Sequence, residues 1–205
     1  MNINIFGSTG IIGRKCLYLI EKNFPKIRVN LLCANKNYKL LAKQINKFNP
    51  KFVYINDLSK NDKLRLLIKT KTKILDSHQL KKYLSSSASD LSVLAISGYK
   101  SLYYLDEIIK NTKKLGIVSK EAIVSGGHIF NKNNYFKKTN IFPLDSEHYS
   151  LYEYFGLKTI DTNYRNVILT ASGGPFYKQK FQNLHNVSFN DAIKHPKWKM
   201  GYKNS

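Results

Sequence analysis

The stretch INIFGSTGIIGRKCLYLIEKN, residues 3–23, decides the fold of this chain. Its apolar run at 3–6 predicts a buried β-strand, and the segment 11–23 that follows predicts an amphipathic helix. The helix is predicted because apolar side chains recur there at helical spacing: Ile12, Cys16, Leu19 and Ile20. A strand that passes through a short turn into a helix is the first half of a βαβ unit, so the stretch predicts a parallel sheet.

Three glycines, Gly7, Gly10 and Gly13, occupy the turn between that strand and that helix. In a dinucleotide-binding turn one glycine permits the tight bend and another lets the backbone approach a pyrophosphate, while a third allows close helix–strand packing. The helix N-terminus adds N–H groups and a positive dipole. The spacing therefore predicts a cofactor site at the turn, although glycines in such turns also serve packing alone.

Short apolar runs continue to alternate with amphipathic segments along the chain. The predicted strands are 3–6, 29–34, 52–55, 73–75, 91–96 and 115–119, and the predicted helices are 11–23, 38–48, 62–70, 78–84 and 101–114. This alternation predicts an α/β, Rossmann-like domain over 1–143, with a mostly parallel sheet flanked by helices. The pattern changes after residue 140, and 144–205 is predicted to begin a second domain. There, 166–176 predicts a strand running into a double-glycine turn, and 188–195 predicts a short helix.

The composition is strongly basic, with 34 Lys and Arg against 13 Asp and Glu and a net charge of +21 in 205 residues. Clustered cations would favour nucleic acid, because they release counterions from phosphates. Here the lysines are spread along the whole chain and aromatic residues do not interleave with a basic stripe, which favours a solvated surface without a specific nucleic-acid partner. No apolar run reaches the about 18 residues of a membrane span. Cys16 and Cys33 lack metal-ligand spacing and are predicted to be reduced core residues of a cytoplasmic protein.

The end of the second predicted strand bears on the choice of cofactor. NAD-binding folds usually place an acidic residue there for the ribose hydroxyls. This chain has Asn35, Lys36 and Asn37 instead. A lysine between amides would attract a 2′-phosphate, so NADP is favoured over NAD. The alternative is that Lys36 is one more surface lysine.

An acidic pair stands out in so basic a chain, in the stretch FPLDSEHYSLY at residues 142–152. Asp145 and Glu147 are separated by a single residue, and a loop at a strand end can turn such a pair toward one point. Hard divalent cations take carboxylate oxygens as ligands. A lone pair of this kind is more often a solvated turn, so the spacing by itself leaves both interpretations open.

Five segments in this order resemble the N-terminal half of the 1-deoxy-D-xylulose 5-phosphate reductoisomerase family: GSTGIIG (7–13), SKEAIVSGG (119–127), PLDSEH (143–148), LTASGGPF (169–176) and HPKWKMGYK (195–203). The resemblance implies an NADPH- and divalent-metal-dependent oxidoreductase and isomerase of the non-mevalonate isoprenoid pathway. Such an enzyme converts 1-deoxy-D-xylulose 5-phosphate to 2-C-methyl-D-erythritol 4-phosphate. It also implies a homodimer for full-length members, and that residues 144–205 begin an α+β catalytic domain.

The resemblance further implies roles for individual residues. Asp145 and Glu147 would bind Mg²⁺ or Mn²⁺, and the implied catalytic residues are Lys120, Glu147 and His195. The implied sugar-phosphate contacts are Lys120, Ser146, Glu147, Ser172, His195 and Trp198. The implied cofactor contacts are Gly7, Thr9, Gly10, Ile11, Ile12, Asn35, Lys36, Asn37, Ser119, Glu121 and Gly201.

The sequence also departs from the family pattern. Ile11 replaces a serine of the glycine loop and Ser119 replaces an asparagine. Two outcomes are open: either change weakens NADPH binding modestly, or both are tolerated because the backbone N–H groups remain. The sequence ends before the family's next block, which supplies the third metal-binding carboxylate and further phosphate contacts. We therefore expect little turnover from these residues alone. A catalytically inactive NADP-binding remnant and, less favoured, a basic nucleic-acid-binding protein are the alternatives.

Overall fold

The computed structural model of the chain describes residues 1–155, 166–168, 170 and 173–194. In these residues a parallel sheet has seven strands in the order β4-β3-β2-β1-β5-β6-β7. The strands are β1 Asn2–Phe6, β2 Arg28–Ala34, β3 Phe52–Ile55, β4 Lys73–Leu75, β5 Ser89–Leu94, β6 Thr112–Ile117 and β7 Asn140–Pro143. Every neighbouring pair is parallel. The predicted α/β, Rossmann-like parallel sheet is therefore confirmed.

Helices cover both faces of this sheet. In the part of the chain that contains the sheet, the helices are α1 Ile11–Asn23, α2 Tyr38–Phe48, α3 Asn61–Leu67, α4 Ser77–Ser86, α5 Leu105–Lys110, α6 Lys120–Lys132, α7 Tyr135–Lys138 and α8 Ser146–Phe155. A further helix, α9 Phe189–Ala192, lies later in the chain. Shorter 3₁₀ turns occupy Leu58–Lys60, Tyr99–Tyr104 and Phe181–Asn186. None of the helices in the described ranges combines the length and the apolarity that a membrane crossing requires.

The core consists of two clusters, one on each face of the sheet. Along β1, Ile3 and Ile5 point to one cluster and Phe6 points to the other, because successive side chains of a strand face opposite ways. Helices α1, α2 and α3 pack over the first cluster, and α4 to α7 pack over the second. The central strand is thus buried on both faces, and burying each such Ile or Phe contributes about 1.5–3 kcal/mol.

The two cysteines belong to these two clusters and are free thiols, as predicted. Cys33 is buried in the second cluster, and Cys16 packs against the first. Burial raises the pKa of Cys16 to about 11 and raises the pKa of Cys33 as well. Both thiols are therefore protonated core residues at neutral pH.

Some boundaries differ from those predicted. In α1 the buried residues are Gly13, Leu17 and Ile20, whereas Leu19 is exposed. The predicted helix over 101–114 is wrong at its end, because α5 stops at Lys110 and β6 begins at Thr112. The sequence pattern did not predict α6, α8 or β7 as elements.

The chain divides into two compact units, Met1–Thr159 and Ile160–Ser205. The first unit contains the whole sheet. In the second unit, Ser188 caps α9 in a capping box with Asp191, at the predicted start of the helix. The helix is shorter than the predicted 188–195, because α9 ends at Ala192. Gly173 and Gly174 both have positive φ, as a double-glycine turn needs. Residues 166–168 belong to no strand, and part of that predicted strand lies outside the described residues. The predicted boundary near residue 143 stays a prediction.

Candidate functional site

The sheet order reverses between β1 and β5, and the glycine turn lies at this point. The backbone N–H groups of Gly7 and Ser8 both donate to the Cys33 carbonyl oxygen at 2.9 Å, which ties the turn to the end of β2. Gly7 has a φ of +84°, and a Cβ there would lie 2.4 Å from the Ala95 carbonyl oxygen. Only glycine fits between these two strand ends. In open α/β sheets ligands bind in the crevice at such a switch point.

The helix that leaves this turn begins without a side-chain cap. Its N-cap residue is Gly10, which has no side chain that could hydrogen-bond to the first turn of the helix. The first intrahelical bond runs from Arg14 N to Gly10 O at 3.0 Å. The N–H groups of Ile11 and Ile12 are therefore among the helix donors that need an outside acceptor. An anion at this N-terminus would supply it.

A polar pair that the sequence pattern did not single out fixes the turn from behind. Ser8 Oγ donates to Gln44 Oε1 at 2.8 Å, and Gln44 Nε2 donates back to the Ser8 carbonyl oxygen at 2.8 Å. Both residues are buried. The signal that could have found them is a glutamine within the buried face of α2, next to Leu41 and Ile45. The pair fastens the glycine turn to α2.

The residues predicted to choose the cofactor follow β2 directly. Asn37 caps α2, because its Oδ1 accepts from Leu40 N at 3.1 Å. Asn35 Oδ1 accepts from Asn56 Nδ2 at 3.2 Å, across to the end of β3. Lys36 lies close enough to Asp57 to contribute, after the hydrogen bonds from Ser59, to a lowered pKa of that carboxyl. Asp57 is an acid at the neighbouring strand end that the sequence pattern did not single out.

The segment that follows β6 begins α6 and carries three predicted site residues. Ser119 is buried, and its Oγ lies 2.6 Å from Glu121 Oε2 and 3.2 Å from the Gly98 carbonyl oxygen, either of which can accept its proton. Lys120 is the first residue of α6 and points across to α8. The loop after β5 and the start of α6 are thus held together through Ser119.

Lys120 and Glu147 form an ion pair. They are the two described residues for which the family resemblance implies catalytic roles. Lys120 Nζ lies 2.5 Å from Glu147 Oε1, and Ser146 Oγ donates to Glu147 Oε2 at 2.8 Å. These two contacts, Lys120 first, lower the pKa of Glu147 from 4.5 to about 2. The same pair raises the pKa of Lys120. Both groups are charged at neutral pH, although both are more than a third exposed to solvent.

Asp145 is held in a different way. Its Oδ1 accepts from His148 N at 3.1 Å and lies 2.8 Å from His148 Nδ1, and its carbonyl oxygen accepts from Tyr149 N at 3.0 Å. This is the arrangement of an N-cap, so Asp145 begins α8 and Glu147 lies in its first turn rather than in a loop. The Asp145 side chain is only 10% exposed. The helix fixes both carboxylates at the end of β7.

The donor set suits a hard divalent cation, because Asp145 and Glu147 supply carboxylate oxygens. Each carboxylate already has a partner, Lys120 or His148. Within the described part of the chain, no group of three or more His, Cys, Asp and Glu side chains is placed to hold a metal. A cation bound here would compete with Lys120 for Glu147 and take further ligands from elsewhere, whereas the contacts of the Asp145 carboxylate are made through Oδ1.

The parallel sheet explains why distant segments gather at one edge. Candidate residues follow the carboxyl ends of β1, β2, β6 and β7, which all lie on the same side of the sheet. Lys120 and Ser146 both contact Glu147 directly. The glycine turn lies beside the ends of β2 and β5. Four further predicted site residues lie outside the described residues: Ser172, His195, Trp198 and Gly201.

Comparison with known proteins gives consistent matches along the chain. The family model of 1-deoxy-D-xylulose 5-phosphate reductoisomerase matches residues 3–127, and the model of that enzyme's C-terminal domain matches residues 141–205. The reductoisomerase of Pelagibacter ubique is 38% identical and covers 98% of this chain. That of Wolbachia pipientis subsp. Culex pipiens is 37% identical over 98% of it. The chain covers 52% and 51% of these relatives, so it spans about half the length of the curated relatives that it matches.

Solved structures give the same result. The structure of the Zymomonas mobilis reductoisomerase in complex with NADPH superposes with a TM-score of 0.83 at 29% identity, over 95% of this chain and 52% of the other. A reductoisomerase in complex with NADPH, fosmidomycin and magnesium superposes with a TM-score of 0.79 at 26% identity, over 99% and 53%. The similarity thus extends over both compact units of the chain.

Proposed function

Because this chain belongs to the 1-deoxy-D-xylulose 5-phosphate reductoisomerase family, we propose that it forms the NADPH-binding part and part of the metal site of such an enzyme. The reaction is the NADPH-dependent conversion of 1-deoxy-D-xylulose 5-phosphate to 2-C-methyl-D-erythritol 4-phosphate with Mg²⁺ or Mn²⁺. A single observation carries the proposal. An uncapped helix N-terminus at the β1/β5 switch point and the Lys120–Glu147 pair lie at the same edge of one sheet.

The cofactor end of the site would bind phosphates. The N–H groups at the start of α1 would donate to the pyrophosphate, and Gly7 and Gly10 would let the backbone approach it. Asn35 and Lys36 would receive the 2′-phosphate beside the end of β2. Relatives solved with NADPH support this assignment. The bound cofactor would supply the hydride.

The metal end of the site would bind the sugar phosphate. Asp145 and Glu147 would hold the cation, which would supply Lewis-acid polarisation of the substrate oxygens. Lys120, released from Glu147, would place its ammonium against developing negative charge on substrate oxygen. Ser146, one residue from each carboxylate, would add a hydroxyl donor. Roles for Ser172, His195 and Trp198 stay predictions, as do the homodimer and the cytoplasmic location.

Cofactor binding by this chain is the direct test. We expect the fluorescence of NADPH to change on titration with the protein, with a dissociation constant at least about tenfold below that for NADH. Lys36→Ala should remove most of this preference, because it removes the cation proposed to face the 2′-phosphate. Preference for NADH, or binding of neither cofactor, would refute the assignment. Strongly salt-dependent DNA binding without NADPH binding would favour the basic nucleic-acid-binding alternative.

Metal binding is tested separately, by the electron paramagnetic resonance signal of free Mn²⁺. Glu147→Gln should weaken Mn²⁺ binding, because it removes one of the two proposed charged ligands. Glu153→Gln, on the same helix, is the matched control and should leave binding unchanged. NADPH binding without any Mn²⁺ binding would favour a cofactor-binding remnant instead.

A further inference from the structure

We propose that Tyr54 and Asn56 form a hydrogen-bond relay that fixes the orientation of the Asn35 amide and thereby sets the preference for a 2′-phosphorylated cofactor. Tyr54 and Asn56 act through Asn35 and are positioning residues. The inference rests on the proposed cofactor function and assigns a role to residues at the end of β3, outside the glycine turn and the loop after β2.

The relay begins at a buried hydroxyl and ends at the cofactor loop. Tyr54 Oη donates to Asn56 Oδ1 at 3.2 Å, and Asn56 Nδ2 donates to Asn35 Oδ1 at 3.2 Å. Ser77 Oγ lies 3.3 Å from the Tyr54 hydroxyl, and either group can be the donor. Tyr104 also hydrogen-bonds with Tyr54. When Ser77 and Tyr104 donate to this hydroxyl, the tyrosine proton is left for Asn56. Tyr54 is 5% exposed, so the origin of the relay is fixed in the core.

The backbone keeps the two ends of the relay in register. β2 and β3 pair in parallel as far as Ala34 and Ile55. Beyond that pair, Asn56 N donates to the Ala34 carbonyl oxygen and Asp57 N donates to the Asn35 carbonyl oxygen, both at 2.9 Å. The side chains of Asn35 and Asn56 therefore meet at a defined place just past the sheet, although both residues are exposed.

The direction of the relay decides what Asn35 offers to a ligand. Its Oδ1 is occupied by Asn56, so its Nδ2 is the part of the amide left to a ligand, and no described residue accepts a hydrogen bond from it. The Asn35 amide nitrogen and the Lys36 ammonium are then two neighbouring side-chain groups that can only donate to a ligand. A phosphate only accepts hydrogen bonds at neutral pH, whereas a ribose hydroxyl also donates. A donor-only surface therefore favours the 2′-phosphate.

The acid next to the relay does not reverse this preference. Asp57 Oδ1 accepts from Ser59 N at 3.2 Å and from Ser59 Oγ at 2.6 Å. Its Oδ2 faces Lys60 Nζ at 3.8 Å. Both oxygens are thus directed into the 3₁₀ turn that Asp57 caps. The negative charge is therefore engaged mainly by Ser59 and Lys60 of its own turn, and to a smaller extent by Lys36.

The test is a double-mutant cycle on the whole 205-residue chain, read as dissociation constants for NADPH and for NADH. Tyr54→Phe keeps the buried ring and removes the first donor. We expect it to raise the NADPH constant about threefold to tenfold, the range of one hydrogen bond, and the NADH constant less than about twofold. In the Asn35→Ala background, Tyr54→Phe should have no further effect, because the relay then has no amide to orient.

Two further variants keep the test decisive. Asn56→Ala removes the middle of the relay at an exposed position and should reproduce the selective loss even if Tyr54→Phe unfolds the protein. Asn46→Ala is the matched control, since Asn46 also makes two side-chain hydrogen bonds, with Leu67 O at 2.9 Å and Lys69 N at 2.8 Å. It should leave the ratio of the two constants unchanged.

The outcomes separate this inference from the function on which it rests. Equal weakening of both cofactors, or a Tyr54→Phe effect that persists without the Asn35 amide, would overturn the relay and leave the cofactor assignment standing. A wild-type chain that binds neither cofactor would overturn both.

Discussion

Replacing Gly13 with alanine should destabilise the protein, although alanine is the better helix former. Gly13 lies in the first turn of α1, and a Cβ there would lie 2.3 Å from the Gly7 carbonyl oxygen. The same atom would lie 2.6 Å from Ser8 Cα and 2.8 Å from the Ser8 carbonyl carbon. All three are backbone atoms of a turn that two hydrogen bonds to the Cys33 carbonyl oxygen hold in place. No side chain can rotate away to make room.

The size of the effect follows from two opposing contributions. Overpacking in a closely packed region costs about 1–3 kcal/mol, and contacts this short with backbone place Gly13→Ala at the upper end. Helix propensity returns about 1 kcal/mol for Gly→Ala. The expected net loss in the free energy of unfolding is therefore about 2 kcal/mol. NADPH affinity should fall as well, because the displaced atoms belong to the turn that is proposed to bind the cofactor phosphates.

Gly127→Ala is the matched control. Gly127 lies in α6, and a Cβ there meets nothing within 4 Å. This variant should gain about 0.5–1 kcal/mol from helix propensity alone. Urea unfolding followed by circular dichroism measures both variants against the wild type. If Gly13→Ala is as stable as the wild type, or moves with Gly127→Ala, then the tight packing of α1 on the turn is not what requires glycine at this position.

Three further predictions concern polar contacts. The folded-state pKa of Glu147 is lowered from 4.5 to about 2, so its contribution to stability is present above about pH 4.5 and is lost as the pH falls toward 2. Glu147→Gln should remove this pH-dependent part of the stability, which is no more than about 1 kcal/mol because the ion pair is so exposed. Urea unfolding from about pH 6 to pH 3, without divalent cations, measures it. An unchanged pH profile would contradict the prediction. Lys120→Gln should tighten Mn²⁺ binding about twofold to fivefold by paramagnetic resonance, because no ammonium then competes for Glu147; weaker binding would show that Lys120 does not compete. Gln44→Leu should destabilise the chain by about 2 kcal/mol in urea, because it leaves the buried Ser8 hydroxyl and carbonyl unpaired; a neutral result would mean that water replaces the glutamine.

The β–turn–α unit could be predicted from the sequence because every signal for it is local. The apolar run of β1, the glycines and the helical spacing of α1 lie within 3–23. Even there, the predicted apolar stripe contained Leu19, which is exposed, and did not contain Leu17, which is buried. Packing against β1 and β2 selects Leu17.

The start of β6 shows why other elements could not be predicted. Its first residue, Thr112, is buried, and it pairs with Ser89 of β5. Ser89 Oγ donates to Thr112 Oγ1 at 2.9 Å, and Thr139 Oγ1 donates to the Thr112 carbonyl oxygen at 3.0 Å. The start of this strand is buried because its hydroxyl groups form hydrogen bonds with one another, and not because it is apolar. It therefore has no run of apolar residues from which a strand could be predicted.

The candidate metal site could be predicted only as a pair of acids. Asp145 and Glu147 are adjacent in sequence, but the partner of Glu147 is Lys120, which is 27 residues away. The two meet because β6 and β7 are neighbours in the sheet, so that α6 and α8 start side by side. β7 was not predicted as a strand, and without it the ion pair cannot be inferred from the sequence.

This pairing changes how the site should work. Vacant carboxylates would repel each other and would attract any cation, whereas here Lys120 and His148 occupy them. A divalent cation that displaces Lys120 binds more weakly than it would to a vacant pair, since it must first break an ion pair. In the proposed enzyme, the same displacement would free an ammonium group beside the cation, where negative charge would develop on substrate oxygen. Metal binding and the release of Lys120 toward substrate would then be one event. Tighter Mn²⁺ binding by Lys120→Gln, together with weaker binding of the sugar phosphate, would be the signature of this coupling.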